Sequence, residues 1–230
     1  MKRSAIAPHR FNLPVTVASV LLSIIVILVV AYFWSRFALP KDSIWENRLD
    51  LNGEENISAA FSTSLLASSA IILWKITSLK KGGRFRNHWR MLGFIFSYFA
   101  ADEWLQVHER VNEFLAANVE TSGIFHYAWV IPGSLVVLAI ALLYRRFVAH
   151  LPPKTRRLFY LSGGLYVSGI LGMEMLTGYY ISSFGGGGEG TMIALNGIEE
   201  SLEMLGVTLF IYTLLDYLQS FTSQSQRTVA

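Results

Sequence analysis

Six apolar stretches, each long enough to cross about 30 Å of hydrocarbon, dominate this 230-residue chain and leave little else to fold. They cover residues 13–34, 58–79, 91–111, 127–144, 158–181 and 192–218, joined by short connections. Backbone crossing a bilayer must satisfy its own hydrogen bonds, so segments of this length are helices. The expectation is an all-α, polytopic membrane protein: one six-transmembrane-helix bundle over residues 13–218, flanked by tails of 1–12 and 219–230. With 53% hydrophobic and only 15% charged residues, no stretch remains for a separate soluble domain. Lys2, Arg3 and Arg10 precede the first apolar run as in a signal peptide. That run exceeds a signal-peptide core and lacks a small-residue cleavage site, so it reads as the first membrane helix.

Charge fixes an expected orientation. With the N-terminus in the cytoplasm, fifteen of the nineteen lysines and arginines fall on the cytoplasmic side, and only Arg36, Lys41, Arg48 and Arg110 fall outside. This positive-inside bias gives an N-in/C-in topology, both tails being cytoplasmic. Such basic residues belong to the membrane interface, and no nucleic acid partner is expected. The carboxylates sort the opposite way: fifteen of sixteen lie in outer loops or outer helix halves, and Asp216 alone lies near the cytoplasmic end. The positive-inside rule does not demand this, so an acidic vestibule facing outward is a separate inference. Trp74 and Trp89 fit the inner interface and Trp34, Trp45 and Trp129 the outer one, with Trp104 the exception.

The sixth stretch carries Asn196, Glu199, Glu200 and Glu203 at i, i+3, i+4 and i+7, one face of a helix. Each acidic residue near mid-bilayer costs roughly 2.5 to 3.5 kcal/mol, against roughly 0.3 to 0.6 kcal/mol gained per large apolar residue. The helix macrodipole could stabilise Asn196 and Glu199 near the helix start. It fits Glu203 badly, since eleven residues from Met192 place that carboxylate about 17 Å into the bilayer. Protons, bound cations or donors on neighbouring helices must neutralise this face.

The third stretch is almost as acidic in its outer half, with Asp102, Glu103, His108 and Glu109. On a continuous helix Asp102, Gln106 and Glu109 share a stripe, Glu103 flanks it and His108 points away. Glu109, Arg110 and Glu113 also read as ordinary interfacial charges, whereas Asp102 and Glu103 lie deep enough to need an interior or a cavity. Glu174, in the outer third of the fifth stretch, shares a face with Gly163, Val167, Ile170 and Gly178. Gly164, Ser168 and Gly172 form a small-xxx-small ladder on the opposite face, expected to admit a second helix and make this one central. His126 precedes the fourth stretch as an interfacial residue or a nitrogen ligand.

Two local matches fail on context. Residues 185–190 satisfy G-x-G-x-x-G but follow no strand and join two membrane helices, so they read as a flexible outer loop. Glu199-Glu200 matches the paired glutamates of CAAX-type intramembrane proteases, yet Met204 stands where that motif needs arginine. Asn56-Ile57-Ser58 is an outward-facing glycosylation sequon.

Asp102-Glu103 followed by His108-Glu109, then Glu199-Glu200-Ser201-Leu202-Glu203-Met204-Leu205-Gly206, resembles a group of bacterial polytopic membrane proteins. These share D-E-x-x-x-x-H-E and E-E-x-x-E-M-x-G in separate spans. The resemblance covers about residues 93–206 and implies a bacterial cytoplasmic (inner) membrane location and a six-helix arrangement. It brings no activity with it.

Function therefore rests on the acidic residues. The chain has no cysteine, which excludes disulfides, thiolate ligands and cysteine nucleophiles and leaves oxygen and nitrogen ligands for any metal. Asp102, Glu103, His108, Glu109, His126, Glu174, Glu199, Glu200 and Glu203 are the candidate ligands of a divalent metal: iron, manganese, magnesium, calcium or zinc. Asp102 and Glu203, the deepest, are candidate catalytic bases in a metal-dependent hydrolase or oxidoreductase acting on a lipid or other membrane-soluble substrate. The alternatives are a cation- or proton-coupled transporter and a non-catalytic assembly protein whose protonated glutamates only cross-link helices.

Overall fold

A computed structural model describes residues 12–41, 43–53 and 56–229, with the side chains of 108, 109 and 223–229 outside the described set. Every regular element among the described residues is helical. In chain order they are α1 (Leu13–Ala38), α2 (Ile44–Leu49), α3 (Ile57–Leu79), α4 (Arg86–Leu105), α5 (Val107–Ala116), a 3-10 turn (Gly123–Phe125), α6 (Val130–His150), α7 (Pro153–Val167), a π-helical turn (Ser168–Met173), α8 (Glu174–Phe184) and α9 (Glu189–Val229). Four helices are long and apolar enough to cross a membrane: α1, α3, α6 and the 189–222 part of α9.

The expected third stretch does not remain one helix. Gln106 adopts a left-handed backbone at φ 54°, ending α4 and starting α5 in a new direction. The stripe proposed for Asp102, Gln106 and Glu109 is therefore broken after Gln106, because a left-handed residue cannot continue a right-handed helix. The fifth stretch is longer than expected and is three helical pieces in succession, α7, the π turn and α8. The sixth extends to Val229, so the expected tail beyond 218 is helical to that point.

α9 forms the axis. α1, α3 and α7 pack along it, α4 lies on α3, and α6 lies on α7. Tyr32 of α1, fully buried, donates its hydroxyl to the Ile193 carbonyl at 3.1 Å. Glycine allows the closest approaches. A Cβ on Gly206 would lie 2.7 Å from the Tyr166 amide nitrogen, and one on Gly169 would lie 2.6 Å from Glu203 Cγ and 3.1 Å from the Glu199 carbonyl oxygen. The expected Gly164–Ser168–Gly172 ladder instead faces outward: a Cβ on Gly164 would meet nothing within 4 Å, and one on Gly172 only Ser168 Cβ at 3.9 Å. Gly169 makes the tight contact because it points at Glu199 and Glu203 of α9, and Gly206 makes room in turn for Ser162 and Tyr166 of α7.

At the end of the bundle rich in lysine and arginine, aromatic rings fill the centre. Trp89 of α4 meets Phe147 of α6 at 4.9 Å and Tyr217 of α9 at 5.0 Å, and Phe210 stacks on Phe96 at 4.7 Å. Tyr144 Oη of α6 donates to the His88 carbonyl of α4 at 3.0 Å. Trp89 is thus a core residue, 1% exposed, rather than the interfacial anchor expected.

Gly169→Ala should destabilise the fold by about 1–3 kcal/mol through overpacking against α9, whereas Gly163→Ala, with open space around it, should be neutral or slightly stabilising. Thermal unfolding in detergent checks the pair: the first variant melts below the parent and the second does not.

Candidate functional site

A cavity of about 590 Å³ occupies the opposite, acidic end of the bundle. Three helical segments build its carboxylate wall. The last two turns of α4 contribute Asp102 and Glu103, the start of α8 contributes Glu174, and α9 contributes Asn196, Glu199, Glu200 and Glu203. Each group reaches the same space for a local reason. The α9 residues follow the i, i+3, i+4, i+7 pattern, and α9 runs through them without a break. Glu174 follows Tyr166 and Ile170, which also line the cavity, across the π turn that separates α7 from α8. Single π turns inside α-helices recur at functional sites.

α5 adds Asn112 and Glu113 from above, so seven carboxylates face one chamber. Among the described residues no lysine, arginine or histidine lines it. The neutral polar lining comes from Asn52, Gln106, Tyr127, Trp129, Tyr166 and Thr177 as well as Asn112 and Asn196. Thr177, only 2% exposed, has a hydroxyl oxygen with no hydrogen-bond partner, and so does the buried Asn112 Oδ1. A buried polar atom left unpaired costs roughly 1–3 kcal/mol. The chamber therefore holds unmet hydrogen-bonding capacity as well as excess negative charge.

The connection from α2 to α3 closes one side of the cavity with Leu51, Asn52 and Gly53. Asn56 fixes it: its Nδ2 donates to the carbonyls of Asp50 at 2.7 Å and Gly53 at 2.6 Å, while its Oδ1 caps α3 by accepting from the Ala59 amide at 3.0 Å. The Asn56 side chain, 8% exposed and fully engaged, is not presented as a glycosylation acceptor, which corrects the reading of the sequon. Arg36 secures the same corner, with Nη1 3.1 Å from Glu46 Oε1 and 3.7 Å from Asp50 Oδ2. Lys41 and Glu189, 2.8 Å apart, link it to the start of α9. Arg36 and Lys41 are thus engaged in ion pairs beside the chamber.

The floor is aromatic. Phe99 of α4 and Tyr166 of α7 line the cavity with their ring centroids 6.2 Å apart, and the Phe96–Phe210 stack lies one turn below.

Of the residues singled out in the sequence, Asp102, Glu103, Glu174, Glu199, Glu200 and Glu203 meet in the chamber. His126 does not line it. It lies against α8, where a Cβ on Gly178 would come within 2.8 Å of the His126 Cβ and Ser182 Oγ stands 3.4 Å from its Nδ1. The side chains of His108 and Glu109 lie outside the described residues. Among the described residues no three histidine or carboxylate side chains stand in metal-ligand arrangement. The chamber gathers the carboxylates without drawing three of them onto one point. Sequence reasoning had passed over Asn112, Thr177, Tyr127 and Tyr166. A lone tyrosine or threonine on an apolar helix carries no signal without knowing which face turns inward, and α5 acquires its position only from the break at Gln106.

No curated protein and no solved structure matches the chain. One family does, described as "Domain of unknown function (DUF8692)", over residues 13–218. That match spans the whole helical bundle and every carboxylate of the chamber, and the chain belongs to this family.

Proposed function

We propose that the protein is a six-span, N-in/C-in protein of the bacterial cytoplasmic membrane that binds a divalent cation in the carboxylate chamber and uses it in chemistry on a membrane-borne substrate. One observation carries this reading: among the described residues, seven carboxylates and no basic side chain line a single cavity at the end of the bundle opposite its lysines and arginines. Counting α4 and the α7–α8 run as spans adds two crossings to the four most apolar helices, which brings both termini to the basic side.

Charge of one sign in a low-dielectric chamber repels itself strongly and attracts counter-charge from the outer solution. Oxygen-only donors suit hard cations such as magnesium, calcium or manganese, and also iron. Thr177 and Asn112, whose oxygens lack a hydrogen-bond partner, would complete the oxygen set. A bound cation would supply charge stabilisation and an acidified water. Asp102 and Glu203, on facing helices, are the candidate bases for moving a proton within the chamber. A volume of about 590 Å³ exceeds the need of a lone ion and falls in the range of small-molecule sites.

The aromatic floor separates this reading from a transport pathway. Below Phe99 and Tyr166 the rings of Phe96, Phe210, Trp89 and Phe147 fill the space between α4, α6 and α9, and Asp216 beyond them is paired with Lys154 at 2.7 Å. The chamber is a dead end.

Manganese titration followed by electron paramagnetic resonance should show bound ion in the parent and at least a tenfold weaker affinity in Glu203→Gln and Glu200→Gln, since each removes a charged donor. His126→Ala should bind as the parent does. A parent protein without affinity for manganese, magnesium, calcium or iron would contradict the reading. Proteoliposomes should pass neither protons nor divalent cations under an imposed gradient, and sustained flux sensitive to Glu203→Gln would place the protein among transporters instead.

A further inference from the structure

α4 and α6 form a wedge. Their contacts gather at the basic end, where Tyr144 meets His88 and Phe147 meets both His88 and Trp89. Beyond Gly93, α4 buries no residue as far as Leu105, and α6 buries none between Val130 and Phe147. Two helices packed along their length bury a side chain every three or four residues. The contacts between these two thus lie at the basic end, and the arms beyond leave their side chains exposed. The cavity lies along the α4 arm, with Phe99, Asp102 and Glu103 in its lining, and Trp129, the residue just before α6, borders it as well. The arms are apolar and exposed: Tyr98, Trp104 and Leu105 on α4, and Ile131, Leu135 and Leu138 on α6. α5 crosses the top, with Asn112 and Glu113 in the cavity lining and Phe114 69% exposed.

We infer that the chamber is reached sideways from the bilayer through the α4–α6 wedge, and that its substrate is an amphiphile whose hydrocarbon chain lies between these helices while a polar end of positive or zero net charge sits among the carboxylates. This inference rests on the chamber being the functional site and names the substrate class it takes. Hydrocarbon is the one medium that an open cleft of apolar side chains between membrane helices meets at this depth. The chamber can hold a polar end group beside an ion, and the unpaired Thr177 hydroxyl and Asn112 oxygen offer it hydrogen bonds. A net anionic end group is disfavoured, because seven of the described lining residues are carboxylates.

The cysteine-free chain allows a clean test. A bimane fluorophore on Ile170→Cys, a cavity position, is compared in liposomes with one on Leu135→Cys, 64% exposed on α6, and one on Leu73→Cys, in the fully buried core. Phosphatidylcholine brominated on its acyl chains should extinguish most of the fluorescence at Ile170 and Leu135 and little at Leu73. Brominated phosphatidylglycerol of equal bromine content should quench Leu135 as strongly but Ile170 less. A label on Phe99→Cys, also in the lining, repeats the measurement where the Ile170 variant folds poorly. Cavity labels quenched by aqueous iodide and not by brominated chains would overturn side access, and equal quenching by both lipids would overturn the charge preference. Manganese affinity, measured on the unlabelled parent, remains intact in either case if only the lipid route is wrong.

Discussion

Negative charge gathered into one cavity sets the terms for the rest of this molecule. Asp102, Glu103, Glu174, Glu199, Glu200 and Glu203 come from three separate helical segments, and any one of them against lipid would weigh heavily on membrane insertion. Gathering them in one chamber lets one source of positive charge serve all of them, and keeps water or an ion available where hydrocarbon would otherwise stand. The nearby cations do not take that role: Arg36 is committed to Glu46 and Asp50, and Lys41 to Glu189. Their pairing holds the α2 corner in place and leaves the chamber acidic.

The packing makes this arrangement possible by treating the two ends of the bundle differently. Aromatic rings lock α4, α6, α7 and α9 together at the basic end, where Trp89, Phe147, Phe159 and Phe210 meet edge to face. Glycines draw α7 and the π turn against α9 just where the glutamates begin, at Gly169 and Gly206. With one end clasped and α9 held close, α4 and α6 are free to diverge at the other end. The cavity is thus a consequence of where bulky and small residues fall along the helices.

Much of this was legible in the sequence, for physical reasons that differ from residue to residue. Glu199, Glu200 and Glu203 announced a shared face because an uninterrupted helix preserves its periodicity, and α9 is uninterrupted. Asp102 and Glu103 were recognisable by depth alone. Gln106 was not recognisable as a break, since nothing in a glutamine demands a left-handed backbone, and the stripe drawn through Glu109 failed with it. The Gly164–Ser168–Gly172 ladder was a sound pattern assigned to the wrong face: spacing shows that small residues align, but not whether a helix stands opposite. His126 looked like a ligand by chemistry, yet the short turn before α6 sets it against Gly178 and Ser182. The wedge between α4 and α6 had no sequence signature, because exposed leucines in a membrane protein look the same whether they face a flat bilayer or a cleft.

The central claim is that carboxylates on α4 and α9 act on one shared positive charge. Calorimetric titration of manganese into the parent, Asp102→Asn, Glu203→Gln and the double variant measures that coupling directly as a double-mutant cycle. Residues in one network depart from additivity by about 0.5–3 kcal/mol, and independent residues add within about 0.3–0.5 kcal/mol. The account predicts a clear departure. Losses in the two single variants that simply add in the double variant would mean that the two helices do not share a site.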